Sequence, residues 1–288
     1  MTRKSKSYKK FLIMILLAGL AYYFYWGNNT IQVSYYNYAD PAIPESFNEY
    51  RIAHVSDLHN KKFGNELIDE IEKQQPDIIL ITGDLIDSNR TDLTVAETFL
   101  KKVKPLAPVY FVSGNHEVAS GKYKELKEII NETGVINLDD RNQLITKDDQ
   151  SINLIGLADP LSILLEDIEE AGSKENVVFN KIDELVKQPS DHFNLLLSHR
   201  PELIDIYQKT GVDLVLAGHA HGGQIRLPFI GGLYAPSQGL LPEYVSGTYM
   251  KEDTTLIVSR GLGNSLFPLR IFNRPELVIV TLETKLTE

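Results

Sequence analysis

Hydrophobic and polar positions along the chain fall into two alternating rhythms. Short apolar runs, mostly rich in β-branched residues, occur at RIAHVS (51–56), DIILIT (77–82), PVYFV (108–112), INLIGL (152–157), FNLLL (193–197) and DLVLA (213–217). Runs of this length and composition predict strands, and two more near 255–258 and 277–282 complete the set. Between most of them lie stretches with the period of an amphipathic helix: 65–75, 92–103, 121–132, 178–187 and 200–209. The first, NELIDEIEKQQ, has Asn65 as a cap, Leu67, Ile68 and Ile71 on one face, and Pro76 as a stop. This alternation predicts an α/β fold whose early strands are largely parallel and buried. Residues 27–44 hold two prolines and no periodicity, so they read as a connector leading into one catalytic-size domain, 45–288.

The N-terminal pattern is different. Residues 1–10 hold five Lys and Arg and no acid, and 11–26, FLIMILLAGLAYYFYW, carry no charge. Sixteen residues fall slightly short of the roughly 20 that cross a bilayer, a gap that snorkelling lysines close. The aromatic cluster Tyr22, Tyr23, Phe24, Tyr25 and Trp26 suits the far interface. Residues 1–10 are then a cytoplasmic basic segment and 11–26 a transmembrane signal-anchor. By the positive-inside rule the expected arrangement is a single-pass protein of the cell membrane, its catalytic domain on the extracytoplasmic side. The alternative is a secreted protein, cleaved at the small-x-small site Gly19-Leu20-Ala21.

Composition narrows the function classes. The chain has no cysteine, which excludes disulfides and thiolate metal sites. Beyond residue 10, 24 Lys and Arg face 39 Asp and Glu, so no nucleic-acid surface is evident. Any phosphate handled by so acidic a body must be attracted locally, by bound cations for instance.

Candidate chemistry follows the strands. Strand 51–56 is followed by Asp57-Leu58-His59, and 77–82 by Gly83-Asp84-Leu85-Ile86-Asp87. After 108–112 comes Gly114-Asn115-His116-Glu117, after 193–197 Ser198-His199-Arg200, and after 213–217 Gly218-His219-Ala220-His221. Each motif alone is commonly a polar turn. Together they put metal-binding side chains at five strand ends, the edge where open α/β sheets bind ligands. The donors Asp57, His59, Asp84, Asn115, His199, His219 and His221 exceed the six positions of one octahedral ion. Two ions sharing a carboxylate fit better, and such pairs clamp the oxygens of an in-line displacement at phosphorus. Carboxylate, amide and imidazole donors without thiolate predict two divalent ions, manganese first, with iron, zinc or magnesium as alternatives.

The ordered set DLH, GDLID, GNHE, SHRP and GHAHGGQ over residues 57–224 resembles the calcineurin-like metallophosphoesterase superfamily. GGQIRLPFIGG (222–232) and SRGLGNS (259–265) look most like its exported or membrane-anchored bacterial branch. The resemblance implies a four-layer α/β/β/α sandwich with two mixed sheets. It implies one metal on Asp57, His59, Asp84 and His221, and a second on Asp84, Asn115, His199 and His219, with Asp84 bridging. It also implies attack by a metal-bridging hydroxide, His116 as general acid, and Asp87 as the carboxylate that orients His116. Ser88 stands where the Ser/Thr protein phosphatases have arginine, which argues against protein dephosphorylation. The expected substrate is a cell-envelope or lipid-linked phosphodiester or pyrophosphate, with no obligate protein partner. The alternative is a non-catalytic binding scaffold that keeps the fold. His54 and His192 read as structural, Glu117 as a helix-start carboxylate and Asp159-Pro160 as a turn. Gly261-x-Gly263 is no dinucleotide fingerprint, and Arg200, Arg226 and Arg260 read as surface pairs or phosphate contacts.

Overall fold

A computed structural model describes residues 3–187, 192–264 and 267–285. Met1 and Thr2 of the basic segment, Ser265 of SRGLGNS and residues 286–288 of the expected domain lie outside the described residues. The chain opens with α1 (Arg3–Asn29), β1 (Gln32–Asp40) and β2 (Tyr50–Val55). Three strand-to-helix steps follow: α2 (Glu66–Gln74), β3 (Ile78–Thr82), α3 (Leu93–Val103), β4 (Val109–Val112), α4 (Asn115–Ala119) and α5 (Tyr123–Thr133). After β5 (Ile136–Asn137), β6 (Arg141–Lys147) and β7 (Gln150–Gly156) come α6 (Leu165–Ala171), α7 (Lys174–Lys187), β8 (Asn194–Leu197), α8 (Ile204–Tyr207) and β9 (Leu214–Ala217). Two hairpins, β10 (Arg226–Leu227) with β11 (Gly231–Gly232) and β12 (Tyr234–Ala235) with β13 (Gly239–Leu240), precede β14 (Gly247–Lys251), β15 (Thr254–Val258) and β16 (Glu276–Thr284).

Two six-stranded mixed sheets result, ordered β1-β16-β2-β3-β4-β5 and β14-β15-β9-β8-β7-β6. Side chains alternate across each strand, so an unbroken apolar run supplies two cores at once. Ile78 and Leu80 of β3 meet Leu195 and Leu197 of β8 and Leu214 and Leu216 of β9 between the sheets. On the other face of β3, Ile79 and Ile81 pack on Leu67 and Ile71 of α2, Phe99 and Leu100 of α3 and Leu126 of α5. Behind the second sheet, Leu196, Val215 and Ala217 pack on Val178 and Ile182 of α7 and Tyr207 of α8. The layers are therefore helix, sheet, sheet, helix. Strands β2, β3 and β4 run parallel, as do β7, β8, β9 and β15, so the ends that matter gather at one edge of each sheet.

Two expectations change. Residues 27–44 are not a connector: β1 pairs in parallel with β16 over nine residues and is part of the first sheet. Its buried alternation is carried by tyrosines, Tyr36 and Tyr38 inward and Tyr35 outward, which an aliphatic pattern misses. The predicted helix 200–209 shrinks to a 3-10 turn, Pro201–Leu203, running into the single turn of α8.

Candidate metal centre

Every donor expected from the sequence except Asn115 belongs to one of two buried groups that share Asp84. Asp57, His59, Asp84 and His221 form one, and Asp84, His199 and His219 the other, their donor atoms within 4.8 Å of one another. Asp57 and His59 leave β2, Asp84 leaves β3, and His199, His219 and His221 leave β8 and β9, so the groups straddle the two sheets. Asn115 is the first residue of α4, after β4, and its Oδ1 is buried without a hydrogen-bond partner. Five of these seven residues lie in the left-handed region, at φ 53° (Asp57), 47° (His59), 50° (Asp84), 66° (His219) and 48° (His221). Outside glycine that conformation costs roughly 1–2 kcal/mol per residue, and it clusters where side chains must be aimed.

The spacing fits divalent ions. Donors about 2.1 Å from a common ion sit roughly 3.0–3.5 Å from each other. Asp84 Oδ2 lies 3.5 Å from His59 Nε2 and 3.1 Å from His199 Nε2. His221 Nε2 is 3.3 Å from Asp57 Oδ1 and 3.2 Å from His59 Nε2, while His219 Nδ1 is 3.1 Å from His199 Nε2. The other oxygen of Asp84, Oδ1, accepts the backbone N–H of His116 at 2.8 Å, leaving Oδ2 facing both groups. His199 Nδ1 lies 2.7 Å from the Thr82 carbonyl; donating there leaves the Nε2 lone pair free, a bond typical of metal-binding imidazoles. An unpartnered amide oxygen, convergent imidazoles and two carboxylates are the donor set of an oxygen- and nitrogen-liganded divalent pair.

Within these groups the carboxylates and imidazoles shift one another. Burial would raise the carboxyls of Asp57 and Asp84, but the adjoining histidines outweigh it and hold both well below the usual range. Burial also opposes the charged imidazoles, yet bonds and charge from Asp57, Asp87 and Asp84 raise His59 to about 9, and Asp84 raises His199 to about 10. At His221 burial wins, lowering it to about 3, and His219 falls likewise.

His116 and Asp87 sit beside this cluster. The His116 ring meets His59 edge-on at 4.4 Å between centroids, and burial lowers its pKa. Its Nδ1 accepts the backbone N–H of Ser88 at 2.9 Å, so the neutral ring carries its proton on Nε2. Asp87, expected beside His116, falls with it and His59 in a third group whose donor atoms lie within 4.8 Å of one another. Asp87 Oδ2 approaches His59 Nδ1 at 3.6 Å, and Oδ1 accepts the N–H groups of Asn89 and Arg90. The hydrogen bond to His116 Nδ1 comes from the Ser88 N–H of the same loop. In GHAHGGQ, His219 and His221 sit in a turn, and Gln224 N–H closes on the His221 carbonyl.

Supporting residues surround these groups. Glu117 is the expected helix-start carboxylate, in the first turn of α4, and it is fully buried; it accepts from the N–H groups of Gly114, Asp84 and Ile86, fixing the loop after β3. Burial and the Asp84 charge raise its pKa to about 8 against the Gly114 and Ile86 donors. Ser56 Oγ donates to Asp57 Oδ2 at 2.6 Å. Arg270, 1 % exposed, donates to the carbonyls of Gly263 and Arg260 and approaches His221 Nδ1 at 3.4 Å. Arg200 makes a two-pronged pair with buried Asp159, at 2.6 and 3.0 Å, and its third nitrogen lies 3.2 Å from His219 Nε2. Arg226 and Arg260 make structural bonds, to Gly222 and Ser246 and to Glu276. His54, within β2 as expected, is buried and bonds Thr82 Oγ1 at 2.7 Å.

Known proteins are similar to this chain in sequence. The description of the calcineurin-like phosphoesterase family matches residues 50–223, which contain all seven donors and His116. The metallophosphoesterase YkuE of Bacillus subtilis, itself uncharacterized, is 29% identical over 273 residues, covering 92% of this chain and 90% of YkuE. A second Bacillus subtilis relative, the uncharacterized metallophosphoesterase YkoQ, is 30% identical over 233 residues, covering 78% of this chain and 81% of YkoQ. The phosphodiesterase YaeI of Escherichia coli is 26% identical over 244 residues, covering 81% and 82%. With its buried site for two divalent ions, the chain belongs to the calcineurin-like phosphoesterase family and is a metal-dependent phosphoester hydrolase.

Proposed function

We propose that the protein is a membrane-anchored phosphodiesterase or pyrophosphatase whose substrate is a lipid-linked phosphoester of the cell envelope. The observation that carries the reading is Asp84 Oδ2, which faces histidines of both buried groups. Asp57, His59, Asp84 and His221 would hold one ion and Asp84, Asn115, His199 and His219 the other, manganese being the expected metal. When bound, the pair supplies the Lewis acidity that lowers the pKa of water and offsets phosphoryl charge. His116 faces the same space with a proton on Nε2, held by the Ser88 N–H, and delivers it to the leaving oxygen. Asp87 steadies His59, and through it the His59 side of the site. Arg200, locked by Asp159, presents a fixed positive charge beside His219 to a substrate phosphate.

Two observations support the finer reading. YaeI, a relative, is named a phosphodiesterase. Within α1, Tyr8–Asn29 is long and apolar enough to cross a membrane and only 6% buried, and the basic residues ahead of it favour a body on the extracytoplasmic side. The test is hydrolysis of bis-p-nitrophenyl phosphate against p-nitrophenyl phosphate, with added Mn²⁺, for the parent and Asp84→Asn. The expected result is turnover of the diester above that of the monoester, falling at least about a hundredfold in Asp84→Asn. A parent inactive with every divalent ion tried is a scaffold, and the reading fails.

A further inference from the structure

The junction between α1 and the body is short and tight. Two residues separate the end of α1 from the start of β1. Arg270 N–H donates to Asn28 Oδ1 at 2.6 Å, and Asn28 Nδ2 donates back to the Arg270 carbonyl at 3.0 Å. The Arg274 guanidinium lies 4.5 Å over the Trp26 ring, and the Tyr23 ring is 5.7 Å from that of Phe272. Tyr23 is six residues before the helix end, about 9 Å along the axis. The body therefore reaches up beside the last turns of the apolar helix, and Phe272 sits level with its aromatic cluster.

Phe272 belongs to a larger apolar surface tied together by backbone bonds. Ile225 bridges to Ile271, the Leu233 N–H donates to the Ile225 carbonyl at 2.9 Å, and Leu241 N–H donates to Leu233 at 2.9 Å. The segment at Phe272 is thus joined to both hairpins, β10–β11 and β12–β13. From it project Phe229, 109% exposed, with Ile230, Leu240, Leu241, Phe267 and Phe272, 45–81% exposed. Phe229, Leu241 and Phe272 lie in the left-handed region at φ 68°, 52° and 51°, unusual for bulky residues and favouring no burial here. Residues 227–242 contain no charged residue in a chain of net charge −10. An uncharged apolar surface of this kind marks a site of interaction. It also borders the metal centre: the first hairpin follows GHAHGGQ directly, and Ser237, between β12 and β13, accepts from Arg200 at 2.8 Å and lies 3.4 Å from His219.

We propose that this surface enters the lipid interface beside α1, so that the metal centre opens onto the bilayer and takes the phosphodiester headgroup of an amphiphile whose acyl part stays in the membrane. The lipid surface is the occupant because the helix gripped by Asn28, Trp26 and Tyr23 leaves the body at this face. The proposal rests on the membrane-anchored phosphodiesterase reading and adds the surface that delivers its substrate.

The absence of cysteine permits labelling at single sites. Full-length protein carrying Phe229→Cys, or Asp149→Cys in the β6–β7 turn at the far edge of the second sheet, is labelled with an environment-sensitive dye. It is then reconstituted into phosphatidylcholine–phosphatidylglycerol vesicles. At 229 the dye shifts to the blue and is quenched by nitroxide-labelled lipid but not by iodide; at 149 it behaves as in water. A water-like dye at 229 overturns the proposal, as does a blue shift that needs no lipid and grows with protein concentration, which means a protein covers the face. The variant Phe229→Ser with Ile230→Ser and Leu240→Ser hydrolyses bis-p-nitrophenyl phosphate within about twofold of the parent, but vesicle-embedded hexadecyl p-nitrophenyl phosphate about tenfold more slowly. Equal rates on the embedded diester overturn the delivery of substrate from lipid. If the parent does not cleave the soluble diester, the phosphodiesterase reading fails instead, whatever the dye reports.

Discussion

At Gly218 a Cβ would overlap Ser56 Oγ and press on Asp57 Oδ2, so the backbone passes where no side chain fits. Gly261 and Gly263 press on Asp57 and His59 in the same way, although their spacing suggested nothing in the sequence. Here legibility divides. Asp57, His59, Asp84, Asn115, His199, His219 and His221 could be picked out because each follows an apolar run and carries a donor. Arg270 and the Asp159–Arg200 pair act through neighbours distant in the chain, as does Glu117 toward the loop after β3, and residue type alone does not reveal those bonds. Asp87 was found beside His116, while the bond that His116 accepts comes from the next residue's backbone, Ser88. His116 belongs to neither of the two groups that share Asp84, so His116→Ala should keep both ions by elemental analysis. Its turnover should fall about 10²- to 10⁴-fold, the usual contribution of general acid catalysis. Loss of an ion instead would make His116 part of the metal-holding set.

Among elements, the central strands were the readable ones. β3, β4, β8 and β9 are buried on both faces, so their runs are almost wholly apolar, and β2 departs from this only at exposed Arg51 and at His54. Edge strands gave weaker signals: β1 alternates tyrosines, and β6, at the rim of the second sheet, is RNQLITK with no buried residue. One residue at the start of β9 makes a test at this scale. Asp213 Oδ2 accepts the Asn194 N–H at 2.7 Å, joining β8 to the turn before β9. Burial raises its carboxyl from 3.8 to about 6. Below the unfolded value the group is neutral in both states and costs nothing; as pH rises through the folded value it ionises in both, and the native state bears the desolvation. Stability from this group is therefore lost between about pH 4 and 6 and stays lost above. Asp213→Asn, which keeps an acceptor, should stabilise by about 1–3 kcal/mol at pH 7.5 and by nothing measurable near pH 4. Equal melting-temperature shifts at both pH values would contradict it.

For the whole molecule, the metal centre is a clasp between two sheets, because its donors leave β2, β3 and β4 on one side and β8 and β9 on the other. Ions that bind only the folded state add their binding free energy to stability. At roughly a hundredfold excess over Kd, two ions contribute about 5 kcal/mol, on the order of 10 °C in melting temperature. Chelation should lower the melting temperature by that order and Mn²⁺ should restore it; scanning fluorimetry with and without chelator reads this directly, and no shift would mean the clasp is preassembled without ions. The placement of β16 has a consequence in time. It lies inside the first sheet, parallel to β1 and antiparallel to β2, yet is the last of the described strands to be synthesised. Until residues 276–284 leave the ribosome, β1 has no partner and β2 keeps an open edge. The growing chain must thus be held as an unfinished sheet, and its final strand acts as the keystone that locks the earlier ones.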